Sequence, residues 1–72
     1  MLRRDEVERL KQKYRAGMRV RLIKMDDIQA PPSGTEGTII NVDDTGTIRV
    51  YWDTGSSLSI ITNEDKFEIL TK

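Results

Sequence analysis

The spacing of apolar positions changes period once along the chain. Val7, Leu10 and Tyr14 recur at i, i+3 and i+7, the narrow stripe of an amphipathic helix. Asp5 stands where an N-cap would, Glu8 completes a capping box, and Lys11, Lys13 and Arg15 follow where the helix dipole favours cations. Gly17 suits a left-handed C-cap. From there the period becomes two. Met18, Val20 and Leu22 alternate with Arg19, Arg21 and Ile23, which predicts a half-buried strand. A loop over 26–37, stiffened by Pro31 and Pro32, precedes a β-branched strand from Thr38 to Val42.

The second half is punctuated by turns. Asp43 to Gly46 and Asp53 to Gly55 carry the Asx and glycine chemistry of tight hairpins. They bracket a third strand, Thr47 to Trp52, and a fourth follows around Leu58 and Ile60. A corner over 62–65 precedes a fifth strand, Phe67 to Leu70. The expected inward set is Met18, Val20, Leu22, Ile40, Val42, Ile48, Val50, Trp52, Leu58, Ile60, Phe67 and Ile69. These elements predict a mainly β protein, a small five-stranded SH3-like barrel with an N-terminal α-helix. The helix occupies 1–16 and the barrel 17–72. A short helix is marginal alone, so its stripe must dock on the barrel or on a second copy.

Composition narrows the chemistry. The 72 residues contain no cysteine and no histidine. That excludes Cys/His zinc sites, redox pairs and histidine-activated nucleophiles. No cofactor is expected. Met1-Leu2 leads directly into Arg3, Arg4, Asp5 and Glu6, without the apolar core of a signal peptide or a membrane span. The expectation is therefore a cytoplasmic protein with no membrane partner, a monomer or weak homodimer. Net charge is zero, yet residues 1–24 carry nine basic and three acidic side chains and residues 25–72 the reverse. An acidic partner for the first part is one reading; mutual attraction of the two halves is the simpler one.

A family resemblance rests on ordered motifs. Residues 21–27 (RLIKMDD) are followed by Ala30-Pro31-Pro32-x-Gly34-Thr35-x-Gly37-Thr38. Val42-Asp43-Asp44-x-Gly46-x-Ile48-x-Val50-x-Trp52-Asp53-x-Gly55-Ser56 comes next. Over residues 14–70 the chain resembles domain of unknown function 4314, a family of short bacterial proteins. The resemblance implies an SH3-like barrel, found mainly in Gram-positive bacteria beside phage or conjugative-element genes. It supplies no activity, ligand or catalytic residue, and the basic helix lies largely outside the matching stretch.

Four candidate chemistries follow. Asp53-Thr54-Gly55-Ser56 matches an aspartic protease signature, with a second Asp-Thr-Gly at Asp44. The two bracket one strand, about 20 to 30 Å apart at ~3.3 Å per residue, too far to share a proton. A dimeric aspartic hydrolase pairing two copies of Asp53 is the remote alternative. Asp26-Asp27 and Asp43-Asp44 could hold a hard cation, but they lack the spacing of a calcium loop and read as turn formers. No metal site is assigned. The leading expectation is a non-enzymatic module that binds a protein or peptide in the groove between the loop 26–37 and the turn 53–57. There Asp26, Asp27, Tyr51 and Asp53 would contact a basic or proline-containing segment. The alternative is nucleic-acid binding by a basic patch of Arg3, Arg4, Lys13, Arg15 and Arg19.

Overall fold

A computed structural model describes residues 3–62 and 64–70. Its elements are α1 (Arg4–Lys13), β1 (Arg19–Lys24), β2 (Glu36–Val42), β3 (Ile48–Trp52) and β4 (Lys66–Leu70). The strands form one antiparallel sheet of order β3-β2-β1-β4. α1 begins two residues earlier than its capping box predicts. Arg3, in extended conformation, is the N-cap and makes no side-chain capping bond, while Asp5 and Glu6 fall inside the first turn. There they still complement the dipole. The helix ends at Lys13, not at Gly17. Gly17 instead occupies the third position of a turn closed by Met18 N–H to the Arg15 carbonyl, with φ +92°. A type II turn needs that conformation.

The helix docks on its own sheet. Val7 is buried, and Leu10 and Tyr14 pack against a core of Val20, Leu22, Ile39, Val42, Ile48, Val50, Trp52 and Ile60. The Tyr14 ring meets that of Phe67 at 5.5 Å between centroids, tying α1 to β4.

Two expectations fail for identifiable reasons. Strict alternation on β2 places Ile40 inside, but Ile39 is buried and Ile40 is 44% exposed. The register against β3 shifts between Ile39 and Asn41, and this bulge turns one residue out before Val42 resumes the inward face. The strand expected fourth, around Leu58 and Ile60, is likewise reduced, whereas the one expected fifth forms β4. Residues 56–60 return alongside β3, pinned at Trp52 N–H to the Ser56 carbonyl and by two bonds between Ile48 and Ile60. In that register Leu58 falls opposite Val50. Its carbonyl, however, accepts the Trp52 indole N–H at 2.8 Å. The ladder is interrupted where a side chain takes its acceptor. The sheet has four strands and is not closed into a five-stranded barrel.

Both Asp-Thr-Gly motifs form the same three-residue hairpin loop. Gly46 N–H donates to the Asp43 carbonyl and Asp43 N–H to that of Thr47; Gly55, Trp52 and Ser56 repeat the pattern. Gly46 and Gly55 have φ of +85° and +93°. A type I turn followed by a left-handed residue accounts for the repeated sequence by turn geometry.

Candidate functional site

Because Val20 and Leu22 face the core and α1, Arg19 and Arg21 project from the opposite, outward face of the sheet. Register there sets Tyr51, Thr38, Arg19 and Leu70 in one row, and Asp53, Glu36, Arg21 and Glu68 in the next. The charged groups interlock. The Arg19 guanidinium donates to both Asp53 oxygens, at 3.0 and 2.5 Å, and to the Thr38 hydroxyl at 2.8 Å. Glu36 lies 3.6 Å from Arg19 and 3.8 Å from Arg21, which donates to Glu68 at 2.7 Å. The bidentate bond to Arg19 lowers the Asp53 carboxyl below its ordinary range and raises Arg19. Tyr51 ends its row half-exposed, at 54%.

The predicted contact residues share one end of the sheet. Asp53 N–H donates to the Glu36 carbonyl at the foot of the long loop, so the 53–55 turn and residues 25–35 are neighbours. Tyr51 and Asp53 occupy the outward face together. Asp53 is already engaged by Arg19, and Asp27 accepts the Gln29 N–H at 2.8 Å within its own loop. Asp26 is exposed. Arg21, Glu36, Thr38 and Glu68 were not singled out from sequence. Their strand positions were legible, but their cross-strand neighbours depend on register.

The predicted basic patch does not assemble on one surface. Arg3, Arg4 and Lys13 belong to α1 and its entry, and Arg15 to the following turn; Arg19 lies across the sheet, held by Asp53. Lys13 sits 5.3 Å above the Tyr14 ring. Lys11, in the last turn of α1, pairs with Asp44 at 2.6 Å and is raised by that bond. A shallow concavity of about 600 Å³ beside this pair is lined by Arg4, Val7, Glu8, Lys11 and Asp44. Asp43 accepts Thr45 N–H and O–H and Thr47 N–H. Among the described residues no group of three or more acidic, His or Cys side chains is arranged to hold a metal. No described helix is long and apolar enough to cross a membrane.

A helix packed on the inner face of an open antiparallel sheet, with an ion-pair ladder outside, defines a small, mainly β domain. The chain belongs to the family described as domain of unknown function (DUF4314), whose model matches residues 3–70. The match includes α1, so the helix is part of the family's domain and not an addition to it. No curated protein and no solved structure matches the chain.

Proposed function

We propose that this protein is a non-enzymatic binding module of the SH3-like kind, whose outward sheet face takes a protein or peptide segment. The order β4-β1-β2-β3, with residues 56–60 beside β3, supports that fold reading. The observation that carries the functional reading is the half-exposed Tyr51 beside a pre-formed, mixed-sign ladder. A tyrosine supplies large contact area while freezing few torsions. The flanking charges are already ordered by one another, so a partner need not immobilise them. Two arginines among Asp53, Glu36 and Glu68 suit a protein surface of mixed charge better than a phosphate backbone, which seeks a single positive sign. Asp26 and Asp27, at the same end of the sheet, offer a second contact to a basic segment.

Site-specific photo-crosslinking tests this reading. A benzophenone side chain at position 51, expressed in the native host, is expected to yield protein adducts identifiable by mass spectrometry. The same probe at Gln12, on the exposed face of α1, serves as the control. Equal adduct yields at both positions, or adducts to nucleic acid alone, would refute it.

A further inference from the structure

The backbone hydrogen bonds of the sheet separate its two edges. Leu22 exchanges bonds with Thr35 and Gly34, and Ile39 N–H donates to the Met18 carbonyl, so even-numbered residues around β1 direct their backbone groups toward β2. Alternate residues of an antiparallel strand direct theirs to opposite sides. Arg19 and Arg21 thus bond toward β4, where Leu70 and Glu68 lie opposite. It follows that Phe67 and Ile69 aim their N–H and carbonyl groups away from the sheet. Among the described residues no backbone bond reaches them. The β3 edge, by contrast, is covered by Ser56 and Ile60. One edge is closed and the other is open.

We propose that the β4 edge is a self-association surface that takes the same strand of a second copy, antiparallel, with Phe67 opposite its own equivalent. Charged residues on an edge usually prevent such pairing. Here Lys66 and Glu68 flank Phe67 symmetrically and project from the same face. With Phe67 at the two-fold axis, each Lys66 lies opposite Glu68 of the second copy. These are non-hydrogen-bonded positions, where facing side chains come closest. Arg21 bonds only Oε1 of Glu68, leaving Oε2 for that lysine. Shifting the register by two residues sets Lys66 against Lys66, or Glu68 against Glu68. Intermediate shifts turn the backbone groups out of line. The sequence of β4 thus favours one register, and the two-fold axis makes the assembly a closed dimer. Tyr51, on β3, lies at the opposite edge of the sheet, and Glu68 is shared between this edge and the outward ladder.

The absence of cysteine gives a direct test. One chain carries Lys66→Cys and another Glu68→Cys; the two are mixed under mild oxidation. Facing α-carbons at such positions are ~4.5 Å apart, within disulfide range. The mixture is expected to cross-link at least tenfold faster than either variant alone. Circular dichroism of the reduced variants confirms that both are folded. Sedimentation of the unmodified chain should reveal a concentration-dependent dimer that Lys66→Glu abolishes. Equal cross-linking rates in all three samples, or a monomer up to millimolar concentration, would overturn the proposal.

Discussion

Gly37 sits on β2 opposite Trp52, and its missing side chain determines how closely β3 approaches. A Cβ there would lie 2.8 Å from Cε3 of Trp52, 2.8 Å from Cγ1 of Val50 and 2.9 Å from the Tyr51 carbonyl oxygen. Trp52 and Val50 are fully buried, and the third atom is backbone, so none can swing aside into solvent. Overpacking of a tight core costs about 1–3 kcal/mol. Alanine in place of glycine returns about 0.4–1 kcal/mol by restricting the unfolded chain, since Gly37 does not need a positive φ. The net loss for Gly37→Ala is therefore about 1–2 kcal/mol. For a domain of this size that lowers the melting midpoint by roughly 4–16 °C. Thermal unfolding followed by circular dichroism reads the shift directly. Gly17 is the informative control, with φ +92° and no atom within 4 Å of a built Cβ. Its alanine variant should be partly restored by asparagine, which tolerates the left-handed conformation. At position 37 asparagine should be worse than alanine. An unchanged midpoint in Gly37→Ala would show that β2 and β3 adjust freely, and the packing argument would fail.

Three further outcomes follow from contacts described above. Tyr14→Ala removes the ring that joins α1 to Phe67 and is expected to cost about 2 kcal/mol, less than a fully buried aromatic because Tyr14 is partly exposed; urea denaturation measures it. Asp43→Ala leaves Thr45 and Thr47 without their shared acceptor and should cost about 1 kcal/mol at neutral pH. Because hydrogen bonds from Thr45 and Thr47 lower the Asp43 carboxyl, its stabilisation is present above the ordinary carboxylate value and is lost as pH falls through the lowered one. The stability of Asp43→Ala should accordingly fall less steeply than that of the unmodified protein between pH 5 and pH 2. Binding to a short DNA duplex should stay weaker than about 100 µM at 150 mM salt, the weak end of non-specific affinity, as read by fluorescence anisotropy. Submicromolar binding with a steep salt slope would instead establish a phosphate-binding surface.

Much of this architecture is legible in the order of residues. The helical stripe of Val7, Leu10 and Tyr14 docks as its spacing implies, and the alternation on β1 and β3 fixes their inward faces. Two departures share a cause. The bulge at Ile40 and the interrupted ladder at Leu58 depend on how the neighbouring strand and the Trp52 indole lie in space. Neither leaves a mark in local periodicity. The candidate site divides similarly. Tyr51 stands out as the aromatic opposite a buried row, whereas the Arg19–Asp53 pair joins residues 34 positions apart and emerges only from register. Capping residues were the least reliable guide, because Asp5 serves the helix dipole as well from the first turn as from the cap.

β1 owes both of its neighbours to later parts of the chain, and β4, the last strand, completes the pairing through Glu68 and Leu70. The Tyr14–Phe67 contact closes the same circuit on the inner face. An ordering of this kind ties rate to topology. Few of the decisive contacts are local, so loop-closure entropy must be met before most of the stabilising burial is gained. During synthesis, β1 to β3 emerge while the flank of β1 that receives β4 is still bare. Commitment to the native state is correspondingly late, and a chain interrupted before residue 66 would leave the backbone groups of Arg19 and Arg21 on β1 as its open edge, in place of those of β4.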